Sequence, residues 1–156
     1  MTRTMDNVCL ARRYLSEAYR LDQRITNDLR QLEELKALAT HVTSHHSDMK
    51  VQESHDRSRM EDTVIKIIGQ ERAIDDEIDA LVDLKKEIRG VIRAVPSPEE
   101  EFVLEERYLC FRSWEDVAAD MGYGMDNVFR LHRRALQHVR VPEERAKALR
   151  RMYENS

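Results

Sequence analysis

The chain has 156 residues, of which 41% are hydrophobic and 36% are charged, and its formal net charge is −4. With only three prolines and four glycines, this composition fits long amphipathic helices and argues against a β-sandwich or a doubly wound sheet. No run approaches the roughly 18 uncharged apolar residues of a membrane span, and MTRTMDNVCLARRYL lacks the apolar core of a signal peptide. We therefore expect an all-α protein of the cytoplasm with no membrane partner.

Apolar residues in the first part of the chain follow two heptad series, the pattern of coiled coils. The first series, interrupted only at Asp28, is Tyr14, Ala18, Leu21, Ile25, Leu32, Leu35, Ala39 and Val42. The second series is Val64, Ile67, Glu71, Ile74, Ile78, Leu81, Lys85, Ile88 and Ile92. We expect two long helices, in which Glu71 and Lys85 are polar seam positions that set the register.

The segment between the two series, about 43–58, has no apolar periodicity and is rich in Ser, His and Asp. It is interpreted as a flexible connector that lets the helices fold back as a long antiparallel hairpin. Neither helix can bury its apolar stripe alone, and two hairpins from separate chains can close into a four-helix bundle. Residues 1–95 are therefore predicted to form a coiled-coil arm, through which the chain forms a homodimer.

A boundary follows at RAVPSPEEEF, because Pro96 and Pro98 disfavour the helical conformation of the residues before them. Ser97 then stands at the N-cap of a new helix, roughly 98–110, with Pro98 at its first position. Glu100 has the capping-box spacing from Ser97. We expect this helix to contribute to a small separate core through Phe102, Val103, Tyr108, Leu109 and Phe111.

The stretch from Ser113 to Arg140 has the spacing of a helix-turn-helix. Ser113 opens a short helix, and Asp116 stands three residues on, where its carboxylate can cap the Ser113 amide. Gly122 supplies the positive φ at which such a helix ends. A further helix is expected from about Met125 to Arg140. Small and apolar residues occupy the wedge between the two helices: Val117, Ala118, Met121, Tyr123, Val128 and Leu131. We predict a helix-turn-helix domain over 98–140 and a helical C-terminal tail over 141–156.

The other side of the second helix of this pair is basic. From Tyr123 to Arg140 four arginines stand against one aspartate, a local charge of +3 that the whole-chain charge conceals. Arginine pairs with guanine, aspartate accepts from cytosine and phenylalanine meets a thymine methyl, whereas arginines further along the helix suit phosphates. The predicted DNA-binding residues are Met125, Asp126, Asn127, Phe129 and Arg130, with Arg133, Arg134 and Arg140 assigned to phosphates.

The stretch YLCFRSWEDVAADMGYGMDNVFRLHRRALQHVR resembles region 4 of the σ70 class, the part that reads the −35 promoter element. With its helical arm, the chain looks like phage and prophage regulators of the ArpU/RinA type. In the σ-like family, Asp126 matches a position that often holds a base-contacting acidic residue, and Arg130 matches a polar reading position. The resemblance implies a sequence-specific DNA-binding regulator of late-gene transcription in the cytoplasm of a bacterial host, and it leaves contact with RNA polymerase open.

Two other functions stay open beside this one. A DNA-packaging component like a terminase small subunit also joins a helix-turn-helix to a helical oligomerisation region, and rings larger than dimers would favour it. A structural assembly protein with a vestigial helix-turn-helix would show no DNA binding even at low salt. No phosphate loop or nucleophile elbow supports an enzyme, and no cofactor is predicted. The histidines His41, His45, His46 and His55 lack a recognised metal-ligand spacing, so no metal site is predicted.

Overall fold

The computed structural model describes residues 5–44 and 50–156. Their helices are α1 (Asn7–Leu15), α2 (Glu17–Ser44), α3 (Lys50–Arg93), α4 (Pro98–Leu104), α5 (Trp114–Met121), α6 (Met125–His138) and α7 (Glu143–Glu154), and a π-helical turn (Glu105–Leu109) follows α4. The described chain contains no strand, so the predicted all-α class is confirmed. None of the helices in these ranges combines the length and the apolar character that a bilayer span requires.

The first heptad series does not form one helix, because the helix is interrupted at Ser16. The Ser16 hydroxyl donates to the Arg12 carbonyl oxygen at 2.6 Å, a local bond that competes with regular helix. The preceding helix, α1, is capped by Asp6, whose Oδ1 accepts from the Val8 amide at 3.1 Å. Tyr14, predicted as the first residue of the arm seam, therefore belongs to a separate short helix.

The second long helix begins earlier than predicted. It starts at Lys50, so residues 50–58 of the predicted flexible connector are helical, as are residues 43–44 at the end of α2. The prediction is wrong there because a nucleated helix continues without an apolar stripe, and the Lys, Gln, Glu and Arg residues of 50–58 are strong helix formers. Residues 45–49, the middle of that connector, lie outside the described residues.

The chain divides into two compact units. Unit 2 runs from Leu21 to Leu81, and unit 1 comprises the residues up to Arg20 together with those from Val82 onward. The predicted arm over residues 1–95 differs from this division, since Ile88 and Ile92 are fully buried within unit 1. Helical periodicity shows that a face is apolar, but it does not show what packs against that face.

Unit 2 is formed by parts of α2 and α3. Its buried cluster consists of Ile25, Leu32 and Ile74, with Leu21, Ile67 and Leu81 packed around it. Beside the cluster, Lys36 Nζ lies 3.2 Å from Glu71 Oε1. Asp28, which interrupts the first heptad series, contacts the carboxyl group of Glu77, and this hydrogen bond raises the pKa of Glu77.

Unit 1 holds a larger core, in which α1 packs against both α6 and α7 while α4 packs against α6. A buried polar group ties three helices together there. The hydroxyl of Tyr14 in α1 donates to Glu87 Oε2 in α3 at 2.9 Å, and burial is the largest cause that raises the pKa of Tyr14. Arg145 Nε in α7 lies 3.4 Å from the same carboxylate oxygen.

The segment after the proline pair departs from its predicted form in two places. Although α4 begins at Pro98 as predicted, Ser97 makes no side-chain cap bond within the described chain, and Glu100 is instead 2% exposed. Phe102 is 40% exposed, so its predicted core position is wrong, whereas Val103, Tyr108 and Leu109 are buried. The segment ends at Phe111, which adopts a φ of 57°.

The predicted C-terminal tail is helical and forms α7. This helix buries Ala146 and Leu149, whereas Met152 is 69% exposed. The Arg13 guanidinium of α1 lies 5.3 Å from the ring centroid of Tyr153, a cation–π distance. The tail is therefore part of unit 1 rather than an appendage to it.

Candidate nucleic-acid interface

Helices α5 and α6 are joined by a glycine turn whose geometry follows from the residues present. Ser113 Oγ accepts from the Asp116 amide at 3.1 Å and so caps α5. Gly122 has φ 69° and ψ 28°, the left-handed conformation that glycine adopts without steric cost. The Tyr123 amide then donates to the Ala118 carbonyl oxygen at 3.1 Å. The predicted helix start at Ser113 and the left-handed turn at Gly122 are confirmed. The capping bond runs from the Asp116 amide to the Ser113 hydroxyl, and not from the Ser113 amide to the Asp116 carboxylate as predicted.

The turn brings together the apolar residues between α5 and α6. Val117 and Val128 are fully buried, and Ala118 and Leu131 are nearly so. Met121 and Tyr123 are half-buried, and the Tyr123 hydroxyl donates to Glu99 Oε1 at 2.6 Å. The side of α6 that holds Val128 and Leu131 thus packs against the rest of unit 1. The opposite side of α6 therefore faces away from this core.

The turn makes a stability prediction with a matched control. At Gly122 an added Cβ would meet no atom within 4 Å, so Gly122→Ala tests backbone conformation alone. We expect it to lower the free energy of unfolding by about 1 kcal/mol in urea denaturation, because alanine is disfavoured at positive φ. Gly124→Ala, where φ is −70° and the space is equally open, should change it by less than about 0.5 kcal/mol. Equal effects of the two substitutions would contradict this account of the turn.

The predicted DNA-binding residues lie on the free side of α6 and just beyond its end. Met125 is half-buried, and the others are exposed: Asp126, Asn127, Phe129, Arg130, Arg133, Arg134 and Arg140. Asp126, Arg130 and Arg133 recur at spacings of four and three and therefore share one line along the helix, which we call the outward stripe. No salt bridge within the described residues includes any of these three side chains.

Arg134 differs from the outward stripe, because an acidic residue of α4 holds it. Arg134 Nε lies 3.2 Å from Glu100 Oε1, and His138 Nδ1 lies 2.7 Å from Glu100 Oε2. The side chain of Glu100 is 3% exposed, whereas those of Arg134 and His138 are 58% and 42% exposed. The carboxylate that sequence spacing assigned to a capping box thus fixes α6 against α4, and Arg134 helps to balance its buried charge.

Phe129 packs on the opposite flank of α6, against an aromatic residue of α5. The rings of Phe129 and Trp114 meet edge to face, with centroids 5.2 Å apart. Trp114 also contacts His132, with centroids 4.6 Å apart, and the Arg107 guanidinium lies 4.5 Å from the Trp114 ring centroid. Phe129 is nevertheless 44% exposed, so part of its ring remains accessible.

His132 is a buried residue that sequence reasoning missed. It is 6% exposed, and a 2.7 Å hydrogen bond joins its Nε2 to the Tyr108 hydroxyl. Burial, reinforced by the positive charges of Arg12 and Arg107, lowers the pKa of His132 to about 4. The available signal was its spacing, since His132 follows Val128 by four residues and therefore shares the buried side of α6.

The buried histidine predicts a pH dependence of stability. The unfolded state binds a proton on His132 below about pH 6.5 and the folded state only below about pH 4, so stability is lost as pH falls through that window. We expect His132 to contribute a loss on the order of 2 kcal/mol between pH 7 and pH 5. Urea denaturation at both pH values should show this loss in the wild type and in His138→Gln, but not in His132→Gln. The same loss in all three proteins would assign the pH dependence to other groups.

Within the described residues, no group of three or more His, Cys, Asp or Glu side chains is arranged to hold a metal ion. Of the four histidines around the connector, His45 and His46 lie outside those residues. The free side of α6 carries arginine, aspartate and aromatic side chains. These groups make hydrogen bonds, ion pairs and stacking contacts, which are the interactions by which proteins hold nucleic acids.

Comparison with family models, curated proteins and solved structures gives no match to this chain. A function therefore has to be inferred from the residues themselves. Three features of unit 1 are available for that inference: the basic outward stripe, the apolar anchor on the reverse of α6, and the glycine turn that orients α6 on α5.

Proposed function

We propose that the chain is a sequence-specific DNA-binding regulator of transcription, of the phage and prophage type that its sequence resembles. In this proposal α5, the glycine turn and α6 form a helix-turn-helix, and α6 docks in the major groove. The observation that carries the proposal is the outward stripe of Asp126, Arg130 and Arg133 on the side of α6 opposite its buried anchor. Late genes of a bacterial host's phage are the proposed targets, and RNA polymerase is the further partner that the resemblance leaves open.

The chemistry of the stripe divides into base reading and phosphate binding. Arg130 presents the five-donor guanidinium that pairs with guanine O6 and N7, and Asp126, one turn earlier, can accept from cytosine N4. Arg133 and Arg140, further along, suit phosphates, which set the register of a protein on DNA. Gly124 precedes α6 without a capping side chain, so amides of the first turn are left to donate to a phosphate oxygen.

Arg134 receives a different role in this proposal from the one its position in the sequence suggests. Because Glu100 holds its guanidinium at 3.2 Å, a phosphate would have to compete with a buried carboxylate. We therefore assign Arg134 to orienting α6, and we retain Arg133 and Arg140 as phosphate ligands. Asn127, Met125 and Phe129 flank the stripe and complete the proposed contact surface.

We further propose that unit 2 is an antiparallel hairpin that dimerises the chain. Asp28 of α2 contacts Glu77 of α3, whereas Lys36, later in α2, contacts Glu71, earlier in α3. The two helices therefore run in opposite directions. Large apolar residues of unit 2 remain exposed outside its buried cluster: Leu38, Val64, Ile65, Ile68 and Ile78. Pairing of two such faces in a four-helix bundle would remove these side chains from water.

Dimerisation can be tested at two neighbouring exposed isoleucines. Ile65 is 67% exposed and Ile68 is 46% exposed, so Ile65→Glu with Ile68→Glu should leave the folded chain intact. We expect sedimentation equilibrium at micromolar concentration to give a dimer for the wild type and a monomer for this variant, since each buried isoleucine contributes about 1.5–3 kcal/mol. The matched control is Asp62→Lys with Lys66→Glu, two exposed residues on another side of the same helix, and it should remain dimeric. A monomeric wild type would exclude the dimer, and larger rings would favour a packaging component.

DNA binding itself is tested by its salt dependence. If the two arginines assigned to phosphates, Arg133 and Arg140, each neutralise one phosphate, the slope of the logarithm of the association constant against the logarithm of salt concentration should be about −2 per subunit. Fluorescence anisotropy with a labelled duplex, measured from low to physiological salt, gives this slope. A complete lack of binding at low salt would exclude the proposal and favour a purely structural protein.

A further inference from the structure

A cavity of about 790 Å³ opens beside α6, entirely within unit 1. Its walls come from α1, the start of α2, the π-helical turn, the start of α5 and the Phe129 flank of α6. This volume falls in the range of sites that hold small molecules and cofactors. Arg133 is the one residue of the outward stripe that also lines this cavity.

The charge of the cavity is one-sided. Three arginines line it, Arg12, Arg107 and Arg133, and the described residues of its wall include no carboxylate. None of the salt bridges in the described parts of the chain uses these three guanidinium groups, although Arg107 Nη1 donates to the Arg112 carbonyl oxygen at 2.9 Å. Arg12 and Arg107 also help to lower the pKa of His132, which lines the same space. An anion with two or more oxygens is the ligand that such a set of guanidinium groups favours.

The remaining wall is largely aromatic. Trp114 is bordered by Phe129, with ring centroids 5.2 Å apart, and by the Arg107 guanidinium at 4.5 Å. Phe111 and Tyr19, which also line the cavity, meet edge to face with their ring centroids 5.4 Å apart. Phe111 holds its ring there with a φ of 57°, a conformation that is uncommon for a non-glycine residue and clusters at functional sites. Aromatic and guanidinium planes in one cavity favour a flat ring as the second part of the ligand.

We propose that this cavity binds a nucleotide, with the base among Trp114, Phe129 and Phe111 and the phosphate on Arg12 and Arg107. A ligand that joins a planar aromatic ring to a phosphate satisfies both halves of the wall. The nucleotide has two sources, a free nucleotide or an unpaired base of a DNA strand that lies on α6. Arg133 is shared with the outward stripe, but the proposed base and phosphate contacts do not use it, so the site can exist whether or not α6 reads duplex DNA.

The chain supplies its own reporter, because Trp114 is its single tryptophan and lines the cavity. The full-length protein is titrated with each of the four ribonucleoside monophosphates and triphosphates, with adenosine and inorganic phosphate as half-ligands, while Trp114 fluorescence is recorded. Parallel titrations use a fully paired duplex and the same duplex with one unpaired base. Isothermal titration calorimetry with the best ligand gives the affinity independently of fluorescence.

Saturable quenching by at least one nucleotide at concentrations up to about 1 mM, with adenosine and phosphate much weaker, is the expected result. Arg12→Gln, at an exposed position that should fold, is expected to weaken binding about tenfold or more, while Arg150→Gln in α7 leaves it unchanged. Quenching by only the duplex with the unpaired base assigns the site to DNA-borne nucleotides. No saturable quenching by any nucleotide or by that duplex, or equal affinity of Arg12→Gln and wild type, would overturn the proposal. Arg130 belongs to the outward stripe and does not line the cavity. The effect of Arg130→Ala on the affinity for duplex DNA therefore tests the regulator function separately from nucleotide binding in the cavity.

Discussion

Arg130→Ala should lower the affinity for a preferred DNA site by about 5- to 150-fold, which corresponds to a loss of about 1–3 kcal/mol. Arg130 lies in the middle of the outward stripe, it is exposed, and no salt bridge in the described residues holds its guanidinium. Its removal therefore eliminates the proposed base contact without disturbing α6. Anisotropy titrations against the preferred duplex and a scrambled duplex give the two affinities, and the scrambled duplex should be bound almost as well as by the wild type.

Two further arginine variants make that result specific. Arg133→Ala should weaken binding to both duplexes by a similar factor and should make the salt slope less steep by about 1, as expected for a phosphate ligand. Arg150→Ala removes the same charge from the exposed side of α7 and should leave both affinities near wild type. If all three alanine variants lose the same affinity for both duplexes, only the overall charge matters and α6 is not the reader.

The second large effect concerns the buried carboxylate of Glu100. Arg134→Ala with His138→Ala removes both side chains that contact it and leaves a carboxylate whose side chain is 3% exposed without those partners. We expect this double variant to lose about 3 kcal/mol of unfolding free energy, because an unpaired buried charge is strongly destabilising. Urea denaturation at neutral pH measures the loss.

A third substitution in the same background tests the cause of that loss. Adding Glu100→Leu replaces the buried carboxylate with an apolar side chain of similar volume, so most of the lost stability should return. The matched control is Arg133→Ala with Gln137→Ala, which truncates two neighbouring exposed side chains of α6 and should cost less than about 0.5 kcal/mol. If Glu100→Leu makes the double variant still less stable, the loss comes from side-chain packing and not from the buried charge.

The local structure of this chain was accessible from its sequence wherever a single residue determines the backbone. Gly122 requires no partner to adopt positive φ, and the hydroxyl of Ser113 bonds an amide three residues away. The burial of Val117 in α5 and of Val128 and Leu131 in α6 followed from their spacing alone. What spacing does not contain is the identity of the packing partner, and for that reason Ile88 and Ile92 were predicted in the arm although they lie in the core of unit 1.

The surroundings of the site were less predictable, because residues distant in the chain form them. Glu100 has the spacing of a capping box and instead bonds Arg134 and His138, 34 and 38 residues away. The cavity combines Arg12 with Arg107 and Trp114, a combination that no local pattern contains. His132 was within reach of the sequence, since its position on the buried side of α6 follows from the same periodicity that places Leu131.

The central claim is that α6 reads base sequence through its outward stripe. The most direct measurement is recovery of genomic fragments from the proposed bacterial host and its prophages by the wild type, Arg130→Ala and Arg133→Ala, followed by sequencing of the bound fragments. We expect the wild type to enrich a preferred site, Arg130→Ala to lose that preference, and Arg133→Ala to keep it with a lower yield. Identical enrichment by all three proteins would contradict the assignment of α6 as the reading helix.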